Sequence, residues 1–217
     1  MRVLLVHGLG RTPLSLVRLA RELRHARHAP DFVGYVAAIE RFATIRARVR
    51  HRLERAAREG APYAAVGHSL GGLLVRAALS DWPAQLGLPR HVVMLGTPSQ
   101  PPRLAGRFRR LWPYRVINGE CGQLLARSDF FAALPPVAVP CTVIAGTRGW
   151  RGRWSPFGLD ANDGIVGVAE ARLDMAARVV ELPVAHTFMM NDRRVRALVH
   201  EVLQQAAAHT SIDDRDL

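Results

Sequence analysis

"YAAVGHSLGGLLVRAA", residues 63–78, sets a short apolar run against a leucine-rich one, with a serine and three glycines between them. Residues 63–67 (YAAVG) have the length and composition of a buried strand. Leu70, Leu73, Leu74, Ala77 and Ala78 then recur at helical spacing, and Pro83 bars continuation. A strand that turns at once into a helix is the building unit of a parallel α/β sheet. Ser69 stands at the turn within G-x-S-x-G. It is either the polar residue of a glycine turn or a nucleophile raised above the sheet on a sharp strand-to-helix bend. A nucleophile needs a base and an orienting acid, and a turn needs neither.

The flanking sequence repeats the same alternation. Residues 2–6 (RVLLV), 32–38 (FVGYVAA), 91–96 (HVVMLG), 141–146 (CTVIAG) and 178–182 (RVVEL) read as further strands. Leu16, Leu19, Ala20 and Leu23 form one helical stripe. Ile45, Val49, Leu53 and Ala56 form a second, with Gly60 placed as its C-cap. Val195, Leu198, Val199, Val202 and Leu203 form a closing helix. The pattern predicts a three-layer α/β/α fold with about six parallel strands, one domain over residues 1–208 and a frayed tail at 209–217. Residues 97–139 break the alternation: prolines punctuate them, no strand is evident, and "RLAGRFRRLWPYR" (103–115) lies inside. So long an irregular connection is expected to be a lid or a binding insertion.

At 217 residues, 49% of them hydrophobic, the chain is long and apolar enough for one packed core and too apolar for disorder. It has no apolar run of the ~18 residues that a membrane span needs. "MRVLLVHGLG" reads as a first strand and not as a secretory signal, so cytoplasmic residence is expected. Cys121 and Cys141 lack metal-ligand spacing and are expected to be reduced, buried thiols. The formal charge is +12, yet all 30 basic residues are arginine and they are spread along the whole chain. That pattern speaks for compositional bias more than for a nucleic-acid face, and no nucleic-acid partner is expected. A weak contact with a membrane surface stays open, and the oligomeric state is not legible.

The histidines that follow Ser69 are His91, His186, His200 and His209. His91 opens a strand, His200 lies on the closing helix and His209 falls in the tail. His186, in "LPVAHTFM" just past strand 178–182, is the one a loop would carry over the sheet. For the acid, "DANDGIVG" (160–167) follows strand 141–146, and its Asn-Asp-Gly turn can aim the carboxylate of Asp163. Asp160 is the alternative, while Asp81, Asp129 and Asp174 are less suitably placed. "VHGLG" (6–10) lies where an oxyanion loop belongs. The N–H groups of Leu9 and of Leu70, the residue after the serine, are the expected oxyanion donors. His7 and His68 are expected to brace these loops and not to act as bases.

V-H-G-x-G, G-H-S-L-G-G, "MLGTP", "NDGIV" and a late "AH", in this order over nearly the whole chain, resemble the α/β-hydrolase superfamily. More narrowly they resemble small bacterial lipases and esterases. The resemblance implies ester hydrolysis through Ser69, Asp163 and His186, with Leu9 and Leu70 at the oxyanion hole. Two features depart from the secreted lipases: Ser99-Gln100 follow Gly-Thr-Pro where His-x-Gly is usual, and no signal peptide is evident. A small-molecule or lipid ester is the expected substrate, with no cofactor and no metal. Arg148, Trp150 and Trp154, with Arg151 and Arg153, follow strand 141–146 and either contact an anionic substrate or form a solvated loop. The fold does not choose among ester, thioester, amide and phospholipid. A non-catalytic binding protein on the same scaffold is the alternative of a different class.

Overall fold

The computed structural model describes residues 1–173 and 178–208. The expected tail at 209–217, with His209, and Asp174 lie outside the described residues. Six parallel strands form one sheet: β1 (Arg2–Val6), β2 (Ala29–Val33), β3 (Tyr63–His68), β4 (His91–Leu95), β5 (Cys141–Gly146) and β6 (Arg178–Leu182). Their order across the sheet is β2-β1-β3-β4-β5-β6.

Strands covered on both faces need apolar residues at successive positions, because neighbouring side chains point to opposite faces. In β1, Val3 and Leu5 join one core with helices α1 (Val17–His25) and α8 (Arg193–Ala208). Leu4 and Val6 join the other core with α2 (Phe42–Arg58) and α3 (Leu70–Ala78). All of the expected stripe positions in these helices are buried, and Gly60 follows α2 at φ 73°. The chain therefore has the predicted three layers.

The second strand lies earlier than the expected 32–38. It runs Ala29–Val33, in register with β1 from Arg2↔Ala29 to Val6↔Val33, and stops where β1 stops. Pro30, which has no N–H to give, is tolerated because β2 is an edge strand. The apolar residues beyond it serve a different purpose. Tyr35 and Ala37 are buried in a loop over the carboxyl ends of the strands, where Tyr35 stacks on His7 at 4.0 Å.

Residues 97–139 contain no strand. They form α4 (Arg103–Phe108), α5 (Trp112–Leu124) and α6 (Ser128–Ala132), and α7 (Val168–Ala171) follows β5. Helix α5 bends at Gly119 (φ 55°), where a Cβ would lie 2.5 Å from the Ala38 carbonyl oxygen. The bend lets this excursion pack on the 34–41 loop.

The chain leaves β1 toward one face and returns to β3 from the other, so the loops after β1 and β3 part at this point of the sheet. Parallel sheets form ligand crevices at such a reversal. The loop after β1 is "HGLG", and the turn after β3 carries Ser69.

Candidate active site

Ser69 takes φ 52° and ψ −120°, a left-handed backbone that an L-residue adopts only under restraint, at a cost of about 1–3 kcal/mol. Three hydrogen bonds fix it: Ser69 N–H donates to Leu95 O (2.8 Å), and Ser69 O accepts from Gly72 N–H (3.0 Å) and Thr97 Oγ1–H (3.1 Å). The flanking glycines are required by the bend itself. A Cβ on Gly67 would lie 2.4 Å from Gly72 N, and one on Gly71 would lie 2.2 Å from Val6 O.

Asp163 and His186 are brought together, and both are buried. His186 Nδ1–H donates to Asp163 Oδ2 at 2.6 Å, which leaves Nε2 as the unprotonated nitrogen of the neutral ring. Asp163 Oδ1 accepts from Ile165 N–H (2.9 Å) and Val166 N–H (2.7 Å), an Asx turn that holds the carboxylate still. His186 is also tied at its backbone, since its N–H donates to Asp163 O at 2.9 Å. Asp160 is placed elsewhere, paired with Arg103 at 2.8 Å on the exposed side of the turn.

The two other histidines of the glycine motifs are struts. His68 Nε2–H donates to His186 O at 3.1 Å, and its ring lies 4.9 Å from that of His186. His7 Nδ1–H donates to Gly8 O at 3.0 Å, while Tyr35 Oη–H donates to His7 O. Burial holds the pKa of His7 below the usual imidazole value, and burial beside His186 holds that of His68 well below it. Both therefore remain neutral and put no positive charge beside His186.

Arg11 N–H donates to Gly8 O (3.2 Å), closing a turn in which Gly10 takes φ 63°. The Leu9 N–H within that turn, and the Leu70 N–H at the start of α3, have no acceptor among the described residues. Ser69, His186 and Leu9 line one cavity of about 480 Å3. Its other walls are largely apolar and include Leu104, Ala105, Phe108, Leu125 and Val166. No carboxylate is among its lining residues, and Arg11 is the one guanidinium there.

Arg148, Trp150 and Trp154 are exposed and do not line this cavity. Their loop is instead a buttress of the acid turn: Gly149 N–H donates to Asn162 O at 2.6 Å, and Asn162 Nδ2–H donates to Trp150 O at 3.2 Å. Two supporting residues went unread in the sequence. Asn162, fully buried, also accepts from Gly164 N–H at 2.9 Å; the Asn-Asp-Gly spacing signalled a turn but not this second Asx contact. Buried Glu170 accepts from Gly167 N–H (2.8 Å) and from Arg103 N–H (3.1 Å) at the start of α4. It thereby joins the acid turn to the helical excursion. Among the described residues no cluster of His, Cys, Asp and Glu is arranged to hold a metal ion.

The sequence matches the model of the alpha/beta hydrolase family over residues 3–215. No curated protein matches it. Among solved structures, it is similar to a lipase of Bacillus licheniformis in its mature form, with 20% identity, a TM-score of 0.66, and coverage of 87% of this chain and 86% of that one. It is similar to the phospholipase PlaB of Legionella pneumophila at 19% identity and a TM-score of 0.62, over 79% of this chain; the match spans less than half, 46%, of that protein. The thioesterase RedJ of Streptomyces coelicolor, from prodiginine biosynthesis, is 17% identical with a TM-score of 0.57, over 95% of this chain and 90% of that one.

Proposed function

Because this chain belongs to the alpha/beta hydrolase family, we propose that it is a serine hydrolase that cleaves carboxylic esters, of esterase or lipase type, through an acyl-enzyme on Ser69. One observation carries the reading. A strained serine shares its cavity with a histidine whose far nitrogen is held 2.6 Å from a buried carboxylate.

His186 Nε2 takes the Ser69 proton as Oγ bonds to the acyl carbon, and the carbonyl electron pair moves onto oxygen. The Leu9 and Leu70 N–H groups donate to that oxyanion, aided by the positive end of α3. Collapse expels the alkoxide, which takes the proton from His186. Water then attacks the acyl ester with His186 as base, and Ser69 regains its proton. Asp163 fixes the tautomer and stabilises the imidazolium. The apolar walls suit the acyl chain, which they shield from water.

A fluorophosphonate probe is expected to label the wild type and not Ser69→Ala. Absence of label on folded wild type, or equal labelling of both, would overturn the mechanism. p-Nitrophenyl esters of rising chain length, assayed beside acyl thioesters, then define the acyl and leaving groups. The lipase, phospholipase and thioesterase neighbours leave that choice to experiment.

A further inference from the structure

The excursion that walls the cavity turns a second, different face outward. Tyr114, Asn118 and Leu125 point to the cavity at helical spacing. On the other side Leu111, Trp112, Val116 and Ile117 are between 51% and 74% exposed. Four side chains of this size gathered within seven residues form a patch, not the scatter ordinary for a soluble surface.

The charges within the segment that carries the patch have one sign, and exposed Glu120, just beyond it, shares a groove with Trp112, Arg115 and Val116. Residues 103–119 contain five arginines and no acidic residue. Arg103 is held by Asp160 and Glu170, but Arg107, Arg109, Arg110 and Arg115 are exposed and form no ion pair among the described residues. On α2, by contrast, Arg48, Arg50, Arg52, Arg55 and Arg58 each meet a carboxylate, whereas exposed Arg46 on the same helix forms no ion pair among the described residues. The nearest acid, Glu120, accepts from Phe42 N–H at 3.3 Å.

Three of these arginines line one groove. Arg109, Arg110, Arg115 and Gln123 line a shallow groove of about 300 Å3, and no acceptor side chain but the Gln123 carbonyl shares it. Gln123 Nε2 is buried and has no hydrogen-bond partner. Three guanidinium forks offer the donors that a phosphate monoanion accepts. We infer that the outer face of residues 107–117 docks on an anionic phospholipid bilayer, with the Arg109–Arg110–Arg115–Gln123 groove taking a headgroup phosphate and Leu111, Trp112, Val116 and Ile117 entering the interface. Aliphatic residues decide between a bilayer and a nucleic acid, because they neither stack on bases nor bond to phosphate, whereas they gain from leaving water at a lipid surface.

The test is co-sedimentation with vesicles of phosphatidylcholine alone and of phosphatidylcholine with one-third phosphatidylglycerol. Sedimentation requires no turnover, so a failure of docking is distinct from a failure of the hydrolytic reading. Wild type is expected to bind the anionic vesicles at least ~10-fold more tightly than the neutral ones, and to be released by high salt. The Arg109→Ala/Arg110→Ala/Arg115→Ala variant, checked for an unchanged melting temperature, should bind on the order of 100-fold more weakly. Trp112→Ser/Ile117→Ser should weaken binding while leaving its salt dependence in place. Equal binding of wild type to both vesicles, or equal binding of wild type and the triple-arginine variant, would overturn the proposal. So would loss, in that variant, of binding to a single-stranded oligonucleotide by a protein that ignores vesicles.

Discussion

Asp163 divides its two carboxylate oxygens, one to the backbone N–H groups of its own turn and one to His186 Nδ1. An amide there can keep the turn, but it offers an N–H to the imidazole and reverses the tautomer. Asp163→Asn is therefore expected to lower kcat by about 10⁴ while leaving the melting temperature close to that of the wild type. Asp160→Asn touches a surface pair and should change kcat less than about twofold. Comparable losses in both variants would assign the acid wrongly. At this scale the sequence was informative where geometry is local. G-x-S-x-G specifies the bend because Gly67 and Gly71 meet backbone across it. Asn-Asp-Gly specifies the turn because both side chains bond within it. What was not legible was which neighbour a side chain meets across the fold. Trp150 and Trp154 carry the right chemistry for a substrate contact and stand outside the cavity, because their loop is bonded to the Asp163 turn and does not line the crevice.

Among the elements, the helical excursion owes its anchorage to one buried side chain. Glu170 holds the first N–H of α4 and the N–H of Gly167, and both would lose their acceptor on truncation. Glu170→Ala is expected to destabilise the fold by roughly 3 kcal/mol, read from denaturant unfolding. A change under about 0.5 kcal/mol would show that the two segments are not joined through this residue. Nothing in the spacing around Glu170 marked it, since its partners lie 3 and 67 residues away in sequence. The same distinction explains the strands. β3 and β5 are buried at every position, and the expected spans match theirs within a residue. β2 is a half-covered edge, and the stronger apolar run just after it drew the reading forward. Periodicity shows that a residue is buried, and sheet register shows where.

For the molecule as a whole, three buried histidines link the fold to pH. Burial lowers the pKa of His7, His28 and His68 in the native state, with the N-terminus and His200 adding to the effect at His28. Below the unfolded-state value of about 6.5 the unfolded chain binds protons that the native chain refuses. The stability contribution is thus full above about pH 6.5 and is lost as pH falls, by up to about 1.4 kcal/mol per pH unit for each residue. The melting temperature should fall steadily between pH 6.5 and pH 5, and a flat profile would contradict the burial of these rings.

The two cysteines lie at different depths of this architecture. Cys121 is buried on α5, its Sγ 3.9 Å from Glu40 O, and Cys141 opens β5, an interior strand between β4 and β6. Burial pushes both thiols up to about 12, so neither reacts with an aromatic disulfide reagent while covered. Detachment of α5 uncovers Cys121 alone, whereas Cys141 waits for the sheet to come apart. The native chain therefore contains its own stopwatch and its own reference. Cys121 should be modified faster than Cys141, with the ratio of the two rates measuring how often the cavity wall lifts. Equal rates would mean that this wall parts from the sheet only when the whole molecule unfolds.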